Sequence, residues 1–507
     1  MDSGVTLQAL GDSMLVVASD LMSLYLPSRC SRRVVLRSRG EKESEPSEFD
    51  EVLQQLGRRH ELQHLSTLGP FVDLSQVPQE ERFERTQAAI EARAAVIYQP
   101  AFRIMTVIDG IDCEVVGYPD FLIWDEDGYI IRDSKMARRI EHHPEIVLQV
   151  GLYGYLFEQT CGRTPKAIQV HSGTNAIVDI PYDGGVVALA ELRQIVMLRT
   201  ANEDLYEPVG WSKCGGCGFK DTCWKAAEQS NDVALVPDVD QNLANALHKI
   251  GVTSISQLLQ SMDSNSLSEF KRQVGTRVQK VGKKAERILQ FAVSMESKRE
   301  LVLAVPAIPT SPNYVMFDLE GMPQYLDELD KIYLWGMRVF GSTAGEFMPA
   351  VAGFGSDGDK ESWFEFLQNA DSIFQAYGDA IPFVHWASYE KTHLSQYIGR
   401  YGDPNGVAAH IKANLLDLLT VTRNSIVLPL PSLSLKVVEQ YIGYGRTQAE
   451  FGGEWSMAQF ILATETSDEQ LRAQIMEQIL KYNDEDLEAT WAVFEWLRGK
   501  KPAIPSA

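Results

Sequence analysis

Asp120, Asp133 and Lys135 stand on either side of a turn signal. The runs CEVVGYPDFLIW and YIIRDSK are apolar and rich in β-branched and aromatic residues, and they flank residues 125–128, an acidic segment with an Asp-Gly step. That pattern is a strong hairpin signal. A two-residue loop centred on Glu126-Asp127 sets Asp120 opposite Asp133, and one centred on Asp127-Gly128 sets it opposite Lys135. Either register keeps parity, so all three side chains project from one face of a sheet. Two carboxylates and an ammonium on one face are costly unless a cation and an anionic substrate come between them. Further along, Gln149 and Tyr153 are four apart, so a helix presents both on one side. A second acidic set begins in the strand-like run YVMFDLEG, with Asp318 and Glu320 on one face and Phe317 and Leu319 on the other. Tyr482 and Asp486 are one helical turn apart, on one face. Cys214, Cys217 and Cys223 have C-x2-C-x5-C spacing, which in a reducing compartment points to metal rather than to disulfides.

The elements that must carry these groups are those of a large α/β chain. At 507 residues there is room for two or three domains with substantial cores. A hydrophobic share of 45% with 23% charged residues is that of a globular protein, and no apolar run approaches a membrane span. Asp2 and Asp12 without a preceding basic region argue against a secretory signal, so a cytoplasmic location is expected. The net charge of −22 opposes non-specific nucleic-acid affinity over the whole surface. Local basic clusters at 29–39, 132–139 and 271–287 answer that only in part.

Asp120, followed after twelve residues by Asp133-Ser134-Lys135 and then by Gln149-x-x-x-Tyr153, resembles the PD-(D/E)xK nuclease core in its RecB-type form. The resemblance implies a restriction-endonuclease-like mixed-sheet domain over residues 1–228. Asp120 and Asp133 would hold Mg²⁺ or Mn²⁺. Lys135 would orient the attacking water or stabilise charge on the phosphorane, while Gln149 and Tyr153 would help hold the nucleic acid or the site. Residues 57–61, Gly-Arg-Arg-His-Glu, resemble the helix that supplies a metal-binding histidine in that family, which makes His60 the third metal ligand and His64 the weaker candidate.

Three thiolates leave a closed metal site one ligand short, and Cys30, Cys113 and Cys161 are available. Cys30 in Leu26-Pro-Ser-Arg-Cys30, ahead of the nuclease core with C-x2-C-x5-C after it, resembles the iron-sulfur RecB-type nucleases, a plan shared by AddB-type helicase-nucleases and CRISPR-associated iron-sulfur exonucleases. The resemblance implies that Cys30, Cys214, Cys217 and Cys223 bind a [4Fe-4S] cluster that staples the ends of the domain. Zinc competes for an all-thiolate site. Cys113 and Cys161 lie in apolar surroundings and read as buried thiols.

Residues 229–300 change character. The stretches around Ile250-Gly251-Val252 and Val281-Gly282-Lys283 each resemble a helix-hairpin-helix, whose turn amides bind phosphates without reading bases. A plain helical linker is the alternative. VPAIPTSPN at 305–313 reads as a linker.

After it, YVMFDLEG, the strand-like KIYLWGMRVF, VHWASYE and KYNDED together resemble the motifs of tyrosine-bearing DEDD-type exonucleases, in an RNase H-like α/β domain over 312–500. The resemblance makes Asp318, Glu320 and Asp486 ligands of two metal ions, with Tyr482 orienting the water. Where that family carries Asp in its second motif this chain has Glu390, one methylene longer, and Asp417 is a substitute. The two resemblances together imply a Mg²⁺- or Mn²⁺-dependent nuclease acting on DNA single strands or ends. Without a P-loop of its own, it would depend on a helicase or other partner for unwinding. The competing readings are a non-catalytic iron-sulfur scaffold that binds nucleic acid and a nuclease with only one active domain.

Overall fold

The computed structural model describes residues 13–201, 205–322, 330–353, 355–448 and 452–501. Asp2, Asp12 and Asn202, the last at the end of the helix expected over 184–202, lie outside them. The chain divides into two compact units. Residues 1–46, 50–207 and 212–223 form the first, and 47–49, 208–211 and 224–507 the second.

In the first unit the strands are β1 (Met14–Val17), β2 (Val72–Asp73), β3 (Val96–Tyr98), β4 (Phe102–Ile108), β5 (Ile111–Gly117), β6 (Phe121–Asp125), β7 (Gly128–Ser134), β8 (Ala167–His171) and β9 (Ile177–Ile180). Six of them make a mixed sheet in the order β2-β3-β6-β7-β8-β9, and β1-β5-β4 make a second, smaller sheet. Asp125 pairs with Gly128, so the hairpin loop is Glu126-Asp127 and the register is the one that puts Asp120 opposite Asp133. Glu126 takes the left-handed conformation, φ 51, that such a short loop demands. The helix Pro144–Cys161 starts with proline in its first turn and stops at left-handed Gly162, the usual asymmetry of helix ends. Its apolar side, including Val150, Leu152, Leu156 and Phe157, joins Leu122, Ile131, Ile168 and Val170 of the sheet in one core.

In the second unit, helices Gln241–Lys249 and Ile255–Ser261 follow the helix Lys220–Ser230, which runs into it from the first unit. Asp240 caps Gln241–Lys249, Ser254 and Gln257 form a capping box on Ile255–Ser261, and Gly251 at φ 83 turns the chain between them. That is the helix, glycine turn and helix expected at Ile250-Gly251-Val252. The second expected copy is absent. A two-stranded antiparallel hairpin, β10 (Lys271–Val274) and β11 (Arg277–Lys280), precedes Gly282 where a helix was expected. Its alternation KRQV and RVQK about Gly275-Thr276 has period two, which a helix cannot bury. The helix Ala285–Ser297 follows.

A short pair, β12 (Leu301–Val302) with β18 (Ile426–Val427), precedes the main sheet of this unit. That sheet has the order β15-β14-β13-β16-β17: β13 (Asn313–Gly321), β14 (Ile332–Gly341) and β15 (Met348–Val351) run antiparallel, while β16 (Phe383–His385) and β17 (Leu415–Asp417) lie parallel to β13. Val315, Phe317, Leu319, Trp335 and Met337 pack with Trp363, Phe366, Leu394, Tyr397 and Ile411 of the helices on one face. On the other face lies the thirty-residue helix Glu469–Arg498, capped by Asp468.

Residues 224–300 group with the second unit. Two further expectations differ from the structure. The helix expected over 76–97 ends at Glu91, because Arg93 turns left-handed at φ 54 and the β-branched run that follows forms β3 in the sheet. Cys113 is buried as expected, but Cys161 is half-exposed at its helix terminus. Among the described residues no helix is long and apolar enough to cross a membrane.

Candidate active sites

In the second unit, strand parity sends Phe317 and Leu319 into the core and turns Asp318 and Glu320 toward the helix Glu469–Arg498. Asp318 and Glu320 meet Asp486 there, with one carboxylate oxygen from each within 4.8 Å of the others. Glu320 and Asp486 are buried. Burial, reinforced by the Asp486 and Glu320 charges, holds Asp318 well above the usual carboxylate range, and burial with Asp486 pushes Glu320 up to about 8. Burial raises Asp486 too, against the pull of Arg446. Three carboxylates that repel one another out of water form a donor set that suits a hard cation.

A neighbouring polar side chain holds each acid. The Asn483 amide donates to Asp318 Oδ2 at 2.7 Å, and the Tyr333 hydroxyl donates to Glu320 Oε2 at 3.3 Å. Arg446 bridges both oxygens of Glu439 at 2.6 Å and reaches Asp486 Oδ1 at 2.5 Å. Tyr482 is buried one turn from Asp486. Burial, then the Asp486, Glu320 and Asp318 charges, hold its hydroxyl protonated far above the usual phenol range. Lys436 Nζ sits 5.3 Å from the centre of the Tyr482 ring.

Glu390 does not complete this set. Its Oε2 lies 3.1 Å from His385 Nδ1, and its charge is felt at Asp318 without its oxygens joining the three. Asp417 is the cap of helix Leu418–Ser425, accepting from the Thr420 amide and hydroxyl. Spacing alone gave no sign of Arg446 and Glu439, which come from a loop and a short helix about forty residues before Asp486. Asn483 was readable, since it lies beside Tyr482 in KYNDED.

In the first unit the hairpin brings Asp120, Asp133 and Lys135 together. The Asp120 amide donates to Asp133 Oδ1 at 3.1 Å, the Ser134 amide donates to Asp120 Oδ2 at 2.7 Å, and Lys135 Nζ is 2.7 Å from Asp133 Oδ2. Burial, with the Asp133 and Glu61 charges, holds Asp120 well above its usual value. Burial alone would lower Lys135, but Asp133 and Asp120 outweigh it and keep the ammonium charged. Gln149 donates to the Tyr153 hydroxyl at 2.9 Å, both buried, and both acids act on Tyr153 to raise it further above the level set by burial.

The helix Glu48–Thr67 contributes a residue not anticipated. Glu61 accepts from Gln99 Nε2 at 2.7 Å, and the same nitrogen donates to Asp120 Oδ1 at 3.0 Å. His60 instead lies in a stack of three rings. His171 has its centroid 4.2 Å from His60 and 3.9 Å from His64. Burial lowers His60, and burial, together with Arg132 and the neighbouring imidazoles, depresses His64 and His171 to about 4. His60 Nε2 is buried and has no hydrogen-bond partner.

Cys30, Cys214, Cys217 and Cys223 all fall in the first unit. Burial pushes the Cys223 thiol up to about 11, and Cys30, Cys214 and Cys217 add to that shift. Cys30 is likewise raised by burial and by Cys217. The four thiols therefore act on one another, although no three of their sulfurs come within 4.8 Å.

Residues 315–498 match the family model of the RNase_H superfamily. The span begins on β13 and closes on the helix of Tyr482 and Asp486. Residues 315–498 form an RNase H-like domain. The three acids of the second site belong to that domain, which carries the chemistry of a nuclease. No curated protein matches the chain. Among solved structures it is similar to a crystal structure of SSO0001, at 16% identity over 42% of this chain and 88% of that one, with a TM-score of 0.26, a likeness that carries no argument.

Proposed function

We propose that the protein is a divalent-metal-dependent nuclease that hydrolyses phosphodiester bonds in DNA at single strands or ends. The observation that carries this is the convergence of Asp318, Glu320 and Asp486 inside the RNase H-like domain. Oxygen donors of this kind fit Mg²⁺ or Mn²⁺. When bound, the metal supplies charge neutralisation at the phosphate and activation of water. Asp318 and Glu320 from β13 and Asp486 from the long helix hold it. Asn483 keeps Asp318 in one orientation, and Arg446 restrains Asp486. The Tyr482 hydroxyl, held protonated, positions the water by donating or accepting one hydrogen bond. Lys436 faces the same acids and supplies positive charge toward a phosphate.

For the first unit the same reading assigns a PD-(D/E)xK nuclease site. Asp120 and Asp133 hold metal, and Lys135 orients water or meets the phosphorane charge. Gln149 and Tyr153 brace the site. Glu61 is added to the donor set, and the orphaned Nε2 of buried His60 supports keeping it as a ligand. The four mutually interacting thiols support a [4Fe-4S] cluster. Zinc is the competing metal for a site of four thiolates. A helicase partner and a cytoplasmic location complete the reading.

The test is digestion of end-labelled single- and double-stranded DNA and RNA with Mg²⁺ or Mn²⁺, comparing wild type, Asp318→Ala and Lys135→Ala. Each substitution is expected to lower cleavage at its own site by about 10³-fold. A wild type that binds nucleic acid but cuts none of these substrates overturns the nuclease reading in favour of a non-catalytic scaffold.

A further inference from the structure

The acidic balance of the chain has one dense exception. Residues 271–287 carry Lys271, Arg272, Arg277, Lys280, Lys283, Lys284 and Arg287 against the single acid Glu286, in a chain of net charge −22. The hairpin β10–β11 organises the first four of these. Its register pairs Lys271 with Lys280, Arg272 with Gln279, Gln273 with Val278 and Val274 with Arg277. Alternate residues share a face, so Lys271, Gln273, Val278 and Lys280 form one surface and all four are exposed, with Val278 63% accessible. The other face is tied down by Arg272, whose guanidinium holds Asp240 at 2.7 Å.

Two like charges directly opposite one another weaken a β-ladder. Here Lys271 faces Lys280 at the base of the hairpin, and the one acid beside them, Glu269, is paired with Lys280 at 2.5 Å. Arg277 at the tip and Lys283 and Lys284 at the start of the next helix are exposed and make no ion pair among the described residues. The fold therefore keeps more positive charge on this ribbon than it neutralises. An apolar side chain stands in the middle of the charged face.

We propose that the ribbon Lys271–Val274 and Arg277–Lys280, extended by Lys283 and Lys284, is a binding site for the phosphate backbone of double-stranded nucleic acid, sharing no residue with either proposed cleavage site. A two-stranded β-ribbon fits the major groove of a duplex, and lysine and arginine on such a ribbon fix position without reading sequence. The inference rests on the reading of the protein as acting on nucleic acid, and it concerns binding rather than cleavage.

Its test measures affinity for a fluorescent duplex by anisotropy in EDTA, where cleavage cannot occur, at several salt concentrations. The quadruple variant Lys271→Gln, Arg277→Gln, Lys283→Gln, Lys284→Gln should bind about tenfold more weakly and with a shallower dependence of log affinity on log salt, by about 0.9 for each phosphate no longer neutralised. Lys271→Gln alone removes the like-charge pair, so it should melt no lower than wild type and still bind more weakly, which separates weakened phosphate binding from impaired folding. Unchanged affinity and salt slope in both variants overturn the proposal, and so does a loss seen for single strands but not for duplex. Failure to cleave in Mg²⁺ with duplex binding intact would count against the nuclease reading and leave this one standing.

Discussion

At the scale of single residues, the second site is first a buried charge problem. Glu320 has an ordinary value of about 4.3 in the unfolded chain and is pushed up to about 8 by burial and Asp486 in the folded one. Between those values the folded state binds more protons than the unfolded, so its stability without metal falls as pH rises through that window. Glu320→Gln removes the titration. The metal-free variant is therefore expected to melt higher than wild type at pH 8 and to show a flatter pH dependence between about 5 and 8, followed by calorimetry in EDTA. A bound cation reverses the sign for wild type, because it requires the carboxylates ionised. Stabilisation by Mn²⁺ should accordingly grow from pH 6 to pH 8 in wild type and be weak in Asp318→Asn. An equal Mn²⁺ shift in both proteins would detach Asp318 from the metal.

At the scale of elements, the site depends on how closely β14 approaches the long helix. Gly336 on β14 pairs with Asp318 on β13, and a Cβ placed there would lie 1.8 Å from Asn483 Oδ1. The glycine leaves room for the side chain that orients Asp318, and its φ is unremarkable, so the demand is for space alone. Gly336→Ala should cost about 1–3 kcal/mol through overpacking and should also depress cleavage by displacing Asn483. Denaturant unfolding and a cleavage assay on the same preparation check both. If stability drops while the rate per folded molecule is unchanged, Asn483 has no part in orienting Asp318. The sequence run YLWGMRVF reads as a strand, but nothing in it says which residue across the sheet needs the gap. The hairpin at residues 125–128 was more legible, because a two-residue turn and period two leave only two registers, and pairing of Asp125 with Gly128 chose between them.

At the scale of the molecule, each unit gathers its own cluster of acids, and each cluster can be removed by itself. The cysteines belong to the first unit, so on the proposed iron-sulfur reading Cys217→Ser is expected to abolish visible absorbance of anaerobically purified protein and to lower a melting transition of that unit. Metal-dependent cleavage by Asp318, Glu320 and Asp486 should survive. A colourless wild type with stoichiometric zinc would replace the iron-sulfur assignment, and a cleavage defect equal to that of Asp318→Ala would show that the thiols matter to the second unit.

Local spacing in the sequence settled which side chains share a face on each strand and helix. Parity puts Asp318 beside Glu320, a helical turn aligns Tyr482 with Asp486, and a tight turn aligns Asp120 with Asp133, because these are local periodicities fixed by backbone geometry. Local rules also placed the Gly251 turn and its flanking helices. They did not extend to contacts between distant segments. That Asp486 meets Asp318 and Glu320 while Glu390 turns to His385, that Glu61 rather than His60 reaches toward Asp120, that Arg446 clamps Asp486, and that residues 271–280 fold as a ribbon were decided by tertiary packing. Each of those outcomes depends on which side chains the folded chain shields from water together, and the free energy of a buried charge is set by its neighbours in space rather than by its neighbours in sequence.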